Sequence, residues 1–291
     1  MKVYMTSPED RLSGVQTLLQ QFDLEKYCSK TVIVKANFNS ADPFPASTHP
    51  DTLRGIFTEI RKRDVHIILA ERSGMGDTKK VLSHLGIYDL VSEFKGDIIV
   101  LNSLKKDQFS RISGEHWKRG FLLAQVFLDA DLVISTCCLK THRFGGHFTL
   151  SLKNSVGSIA RYDPRDRYDY MQELHQSPYQ RTMIAEINAA LPCSLVILDA
   201  IKGFSTLGPD QGNIIEPNLL LASTDRVALD AVGVSLLRHY GTTPEVEKGS
   251  IFEQEQIKRA VELGIGVESA DDIEIVPLDD IAMEFAEKLD I

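Results

Sequence analysis

Short apolar runs alternate with amphipathic stretches along most of the chain. The runs are four to eight residues long and rich in Val, Ile and Leu, which is the pattern of strands buried on both faces of a parallel sheet. They predict strands at 31–38, 65–71, 97–102, 132–135, 194–200 and 218–224.

Apolar positions at helical spacing fall between these strands. They predict helices over 12–22, 51–62, 77–84 and 225–240, and Pro50 suits the first turn of the second helix, with Thr48 or His49 as its cap. One apolar run within 103–128 fits a helix or a strand equally well. Strands alternating with helices predict an α/β fold, a mostly parallel sheet with helices on both faces, in a three-layer, Rossmann-like arrangement.

Domain organisation follows from the length and the absence of linkers. A chain of 291 residues is long enough for one large domain. We expect a single α/β domain over 1–291, with a core at 31–240 and a C-terminal α/β extension at 241–291. The polar and aromatic segment 160–180 interrupts the alternation, and a lid, a partner surface and an ordinary exposed excursion all fit it.

The net charge of the chain limits the classes of binding partner that we expect. The net charge of −9 gives no support for a nucleic acid or an anionic membrane as partner. No apolar run approaches the roughly 18 residues of a spanning helix, and the N-terminus has no apolar signal region, so we expect a cytoplasmic protein. A homo-oligomer is compatible with the sequence.

The spacing of the cysteines excludes the common cysteine motifs that bind zinc or an iron-sulfur cluster. The four cysteines show no C-x-x-C pair, so the chain carries no zinc-ribbon or iron-sulfur cluster motif. We expect them to be reduced. The neighbouring Cys137 and Cys138 fit either a redox-active pair or small apolar fillers at a strand end.

Basic residues concentrate in 129–157, against the acidic background. Lys140 and His142 lie two residues apart just after a strand, so both side chains leave the same face if the backbone stays extended. The Gly145-Gly146 pair would let backbone N–H groups approach a ligand closely. This stretch predicts an anion-binding site.

Polar residues also end other predicted strands. Lys35 and Asn37 follow the first strand, Glu71 the second, and Asp199 the strand at 194–200, while His49 begins a helix. Ligands of open α/β sheets bind beyond the carboxyl ends of the strands. We therefore expect these residues to gather at one edge of the sheet.

Ordered motifs across about 31–240 resemble the DUF362 family, whose biochemical function is unassigned and whose members are often labelled iron-sulfur proteins. Cys138 replaces the first lysine of the family's K-x-K-T-H motif, and the ferredoxin-like cysteine segment of many members is missing. The T-H-P motif and the lysine and histidine content are also loosely similar to the lactate racemase family, whose enzymes act on hydroxy acids with a nickel cofactor; we take no assignment from this. The DUF362-like motifs are K-x-N at 35–37, T-H-P at 48–50, K-T-H at 140–142, L-K-N-x-x-G at 152–157, the aspartate at 199, G-P-x-x-G at 208–212 and D-x-V-A-x-D at 225–230.

The leading functional hypothesis is an enzyme that binds a small anionic metabolite, a carboxylate or a phosphate, and uses lysine and histidine for acid–base chemistry. The residues expected to act in catalysis are His142, Lys140, His49 and Asp199. Those expected to bind the substrate are Lys35, Asn37, Lys153, Asn154, Gly145 and Gly146.

The alternative hypothesis is a non-catalytic metal-binding or redox-partner protein. His49, His142 and Asp199 would then be ligands of a divalent metal, because imidazole and carboxylate groups form such sites. The cofactor, the substrate and the reaction cannot be read from the sequence.

Overall fold

Strands from both ends of the chain meet in one ten-stranded sheet in the computed structural model, which describes residues 1–291. A separate two-stranded sheet is formed by β5 and β6. The strands are β1 (Lys2–Thr6), β2 (Thr31–Lys35), β3 (His66–Glu71), β4 (Asp97–Val100), β5 (Phe109–Ile112), β6 (Phe121–Ala124), β7 (Leu132–His142), β8 (His147–Thr149), β9 (Leu195–Phe204), β10 (Ile214–Ile215), β11 (Leu219–Ser223) and β12 (Glu274–Pro277).

Twelve α-helices connect and cover the strands, together with short 3₁₀ segments. No helix is both long enough and apolar enough to cross a membrane. The helices are α1 (Arg11–Leu19), α2 (Pro50–Arg61), α3 (Thr78–His84), α4 (Ile87–Glu93), α5 (Gln125–Leu128), α6 (Ser151–Asn154), α7 (Tyr170–Gln176), α8 (Gln180–Ala190), α9 (Arg226–His239), α10 (Pro244–Glu247), α11 (Glu255–Glu262) and α12 (Asp280–Ala286).

The order of strands in the main sheet is β12-β1-β11-β9-β7-β2-β3-β4. The five strands from β9 to β4 are mutually parallel, whereas β11 runs antiparallel to both of its neighbours. Helices α1 and α2 pack on one face with Val32 and Val34, and Ile33 faces a second core with α8 on the other side. The predicted α/β class, with a mostly parallel sheet between helical layers, is confirmed.

Several predicted elements differ in extent from those in the structure. Strand β7 runs eleven residues, to His142, where the apolar pattern predicts an end at Ser135. Strand β9 continues to Phe204, so Asp199 lies inside the strand and not at its end. The ambiguous segment 103–128 contains the hairpin of β5 and β6 and the short α5.

The N- and C-terminal segments extend the sheet that holds the core. Strand β1 pairs antiparallel with β11. Strand β12 pairs in parallel with β1, from Lys2 opposite Glu274 to Met5 opposite Pro277. The C-terminal region 241–291 therefore shares the sheet of the core.

Candidate functional site

A cavity of about 550 Å³ opens beyond the carboxyl ends of β2, β3 and β7. Its walls come from the end of each of these strands, from α6 and from α7. This is the edge at which ligands bind in open α/β sheets, because loops from neighbouring parallel strands diverge there. The strand order thus brings residues distant in sequence to one place.

A chain of buried polar contacts runs along the base of the cavity; we call it the buried network. Lys35 forms an ion pair with Glu71, with 2.8 Å between Nζ and Oε1. The Oδ1 atom of Asn154 accepts hydrogen bonds from Lys35 Nζ at 3.5 Å and Asn37 Nδ2 at 3.2 Å. Lys140 Nζ donates to Asn37 Oδ1 at 2.6 Å. Each side chain of the buried network therefore has a partner inside the protein.

Helix α6 carries Lys153 and Asn154, and Asp230 of α9 holds its first turn. The two carboxylate oxygens of Asp230 accept hydrogen bonds from the backbone N–H groups of Ser151 at 2.8 Å and Leu152 at 3.0 Å. Both N–H groups belong to the start of α6, where a helix has no partner of its own for them. A four-residue helix is thereby fixed against the sheet.

Three further side chains line the cavity with atoms that have no partner in the protein; we call Lys153, His142 and His175 the free set. Lys153 is only 8% exposed and forms neither a hydrogen bond nor an ion pair. His142 and His175 each use Nδ1 in one internal hydrogen bond, which leaves Nε2 unused. A buried charge without a partner is costly, so an external partner for Lys153 would be stabilising.

Burial and neighbouring charges act on Lys153 in the same direction. Loss of solvation, followed by the positive charges of Lys140 and Arg72, lowers the pKa of its ammonium group to about 8. The same burial lowers the pKa of Lys35, but there Glu71 opposes the change. Lys153 is thus the cavity lysine that has neither an ion-pair partner, as Lys35 has, nor oxygen acceptors, as Lys140 has.

The two histidines differ in the ring nitrogen that remains available. The backbone N–H of Gly146 donates to His142 Nδ1 at 3.3 Å, so the neutral ring carries its proton on Nε2. His175 Nδ1 lies 2.6 Å from the carbonyl oxygen of Met171 and donates to it, which leaves a lone pair on Nε2. Burial lowers the pKa of both imidazoles, as does the charge of Lys153, which favours the neutral forms.

Positive charge prevails in the cavity although the whole chain carries a net charge of −9. Arg72 is buried and donates to the carbonyl oxygens of Ile159 and Val156, and burial lowers its pKa to about 10. The cationic lining residues outnumber the carboxylates; they are Lys35, Arg72, Lys140, Lys153 and Arg161, against Glu71 and Asp169. This surplus favours an anion and disfavours a divalent cation.

The structure brings six of the predicted site residues to the wall of the cavity. They are Lys35, Asn37, Lys140, His142, Lys153 and Asn154. Gly145 and Gly146 form the turn between β7 and β8 and lie behind that wall. A Cβ atom on Gly146 would lie 2.8 Å from both His142 Nδ1 and Lys153 Cε, so this glycine makes room for the free set.

His49 and Asp199 do not reach the cavity, which corrects the expectation that they share a site with His142. His49 is the N-cap of α2, and its Nδ1 accepts from the backbone N–H of Asp51 at 3.1 Å. Asp199, inside β9, accepts from Arg11 Nε at 2.8 Å and Thr52 Oγ1 at 2.6 Å. The metal site built from His49, His142 and Asp199 is therefore not assembled: His142 lines the cavity, His49 and Asp199 lie outside it, and the three do not form a group of ligand atoms within 4.8 Å of one another.

One other group of potential metal ligands lies outside the cavity. The ligand atoms of Glu115, His116 and Glu186 lie within 4.8 Å of one another. Arg259 forms ion pairs with both glutamates, and His116 Nδ1 lies 2.5 Å from Glu186 Oε1. The guanidinium already supplies the positive charge that a cation would bring. None of the four cysteines belongs to such a group, so the residues do not fit an iron-sulfur cluster.

Sequence reasoning missed Arg72, Asp169 and His175. Segment 160–180, which fitted an exposed excursion, folds into α7 and forms one side of the cavity. Asp169 caps α7 by accepting from the N–H groups of Met171 and Gln172. An aspartate followed by Met171 and Leu174 at helical spacing was the available signal for this helix.

The fold and the site define an α/β protein with a cavity of mainly cationic charged lining at the carboxyl ends of its parallel strands. The chain belongs to the DUF362 family: the family model described as "Domain of unknown function (DUF362)" matches residues 32–235. The matched residues include every residue that lines the cavity, from Lys35 to Pro209.

Comparisons with individual proteins add little to this family assignment. No curated protein matches the chain. Among solved structures, the chain is similar to the lactate racemase apoprotein from Thermoanaerobacterium thermosaccharolyticum, with 17% sequence identity and a TM-score of 0.46. The match covers 78% of this chain and 55% of the other, so this chain spans about half the length of that protein. This likeness supports no statement about function.

Proposed function

We propose that the cavity binds a small anionic metabolite, a carboxylate or a phosphate, and that the protein is an enzyme that carries out acid–base chemistry on it. The observation that carries the proposal is Lys153, a buried cation that lines the cavity without a partner. An anion would supply the missing charge and the missing hydrogen-bond acceptors. The proposal thus accounts for a group that is unfavourable in the free protein.

The free ring nitrogens of the two histidines have different roles. The lone pair on His175 Nε2 can accept a proton from the substrate and return it, whereas the Nε2–H group of neutral His142 can donate a hydrogen bond to the substrate. Lys153 would stabilise negative charge that develops on the substrate during the reaction. In this scheme Lys35, Asn37, Lys140 and Asn154 hold the cavity in shape, since their polar groups already have partners.

The metal-binding alternative has no comparable support in the cavity. Only one of its proposed ligands, His142, lines the cavity, and the buried carboxylate of the lining, Glu71, is already paired with Lys35. The surplus of positive lining residues opposes a divalent cation. We therefore propose only the anion-binding enzyme.

Direct binding of sulfate, inorganic phosphate, acetate and hexanoate, measured by calorimetry and by thermal shift, tests the proposal. We expect at least one of these anions to bind, and Lys153→Met to weaken that binding by about 30-fold or more, as expected when one partner of a buried charge pair is removed. Circular dichroism would show that the variant is folded.

Lys79→Met is the matched control, because Lys79 is an exposed lysine of α3 that does not line the cavity. It should bind the same anion within about twofold of the unchanged protein, as usual for surface substitutions. Unchanged binding by folded Lys153→Met, or equal losses in both variants, would remove Lys153 from the site.

A further inference from the structure

The cavity has two chemically different parts. One part of its lining consists of the buried network and the free set. Its apolar lining comes from Phe38, Met75, Phe144, Val156 and Met171. Phe38, Val156 and Met171 are buried, whereas Met75 is 44% and Phe144 48% exposed. The apolar lining thus includes both buried and solvent-exposed side chains.

Met75 and Phe144 come from different loops. Met75 lies between β3 and α3, where its backbone N–H donates to the carbonyl oxygen of Asn39 at 2.8 Å. Phe144 lies in the turn between β7 and β8, and the guanidinium of Arg143 sits 4.3 Å from the centre of its ring. Asp210 holds that guanidinium in an ion pair of 2.6 Å. An exposed aromatic ring is therefore kept in place beside a cationic cavity.

The size of the cavity also exceeds what a single small anion needs. Its volume of about 550 Å³ falls within the range of sites that enclose drug-sized ligands, about 300–1,000 Å³. An acetate or an inorganic phosphate beside Lys153 would leave most of that space, and all the apolar lining, to water. A ligand with an apolar portion would cover this surface and gain from its burial.

From these features we infer that the ligand is an amphiphilic anion, with one carboxylate or phosphate group beside Lys153 and an acyl, alkyl or aryl portion that extends past Val156 and Met171 to Phe144 and Met75. The inference rests on the proposed function and names the class of its substrate. The anionic group of the ligand balances the positive charge of Lys153. The apolar portion of the ligand makes the larger share of its contact area with the cavity wall.

Two homologous series test this substrate class. One contains acetate, butyrate, hexanoate and octanoate, and the other contains inorganic phosphate with ethyl, butyl and hexyl monophosphate. Affinity measured by calorimetry should rise by about threefold for each added methylene until the cavity is filled, close to the value for a buried methylene. Comparison of the two series shows which anionic group the site takes.

Phe144→Ser and Met75→Ser should flatten the dependence on chain length, because each removes part of the apolar wall. Met283→Ser is the matched control: Met283 is 48% exposed on α12 and does not line the cavity. This control should retain the full dependence on chain length.

The outcomes separate this inference from the proposal on which it rests. Affinity that is independent of chain length, or a dependence equally steep in Phe144→Ser and Met75→Ser, would overturn the amphiphilic ligand and leave the anion site standing. If no member of either series binds, both the substrate class and the anion site are wrong.

Discussion

The buried network and the free set lie in the same cavity but differ in how their charges are balanced. Lys35 has Glu71 at 2.8 Å, and Lys140 has the side-chain oxygen of Asn37 at 2.6 Å. Lys153 is buried to a similar degree and has neither. Groups with internal partners contribute to the structure, whereas groups left without one in a cavity mark the place of a ligand.

The same contrast exists within the surroundings of α6. Asp230 directs both carboxylate oxygens to the N–H groups at the start of this helix, and Lys153, two residues further on, directs its ammonium group to the cavity. Asp230 therefore fixes the helix, and the fixed helix places Lys153 at the cavity. Burial alone does not distinguish these two roles.

The largest change in the free energy of unfolding should come from a substitution in the buried network. Lys35→Met leaves the Glu71 carboxylate buried without its ion-pair partner, which we expect to lower the free energy of unfolding by about 3–5 kcal/mol in urea titrations. Burial raises the pKa of Glu71, so the variant should lose more stability at pH 8 than at pH 5, where the carboxyl is closer to its neutral form.

The double variant Lys35→Met with Glu71→Leu should recover part of this loss, because it removes the unpaired carboxylate as well. A loss below about 1 kcal/mol in the single variant would show that the ion pair is not needed for stability.

Substitution of Asp230, which anchors α6, should cause the next largest change in the free energy of unfolding. Asp230→Ala leaves the N–H groups of Ser151 and Leu152 unsatisfied in the interior, and we expect a loss of about 2–4 kcal/mol in the free energy of unfolding. Asp230→Asn keeps one acceptor oxygen and should lose about half as much. Asp290→Ala, at an exposed aspartate, serves as the control. Equal losses for Asp230→Ala and Asp290→Ala would contradict the anchoring role.

Lys153→Met should change stability in the opposite direction. Burial lowers the pKa of Lys153 from 10.5 to about 8, a shift equivalent to about 3 kcal/mol of unfavourable free energy for the charged form. The ligand-free variant should therefore be more stable than the unchanged protein at pH 7, by about 1–3 kcal/mol in urea titrations.

The pH dependence of this gain has a defined sign. Between about pH 8 and 10.5 the folded protein binds fewer protons at Lys153 than the unfolded chain does, so its stability rises with pH in that window. Lys153→Met lacks this contribution. The difference in the free energy of unfolding between this variant and the unchanged protein should therefore become smaller from pH 7 to pH 10. If the extra stability of Lys153→Met does not depend on pH, the charge of Lys153 is not the source of that extra stability.

The smallest effect on stability is expected for His175→Gln. His175 is exposed, so the change in the free energy of unfolding should stay within about 0.5 kcal/mol. Because its free nitrogen accepts a proton and does not donate one, anion affinity should also stay within about twofold. A loss of tenfold or more in calorimetry would make His175 an anion ligand and not a base.

The fold was largely predictable because continuous apolar runs mark strands that are buried on both faces. Strand β1 was missed, since its five residues, KVYMT, are short and mixed in polarity. Strand β7 was predicted too short because its second half contains Thr, Cys, Lys and His, all of them buried here. The internal partners of Lys140 permit that burial, and they lie far away in sequence.

The site was predictable where it depends on strand ends, and not where it depends on tertiary packing. Lys35 and Lys140 line the same cavity because β2 and β7 are neighbouring parallel strands. Asp199 was expected at the end of a strand, but that strand continues to Phe204 and carries the acid inside it. His175 enters the cavity only when α7 folds against it, and no local pattern specifies that contact.

Proton uptake on anion binding tests the central role of Lys153 most directly. At pH 8.5 Lys153 is mostly neutral in the free protein, since its pKa is about 8, and an anion beside it would raise that pKa. Calorimetry with hexanoate in two buffers of different ionisation enthalpy should therefore show uptake of about 0.7 proton for each anion bound, in the unchanged protein and in Lys79→Met alike. Binding without proton uptake at this pH would contradict the assignment of Lys153 as the group that meets the anion.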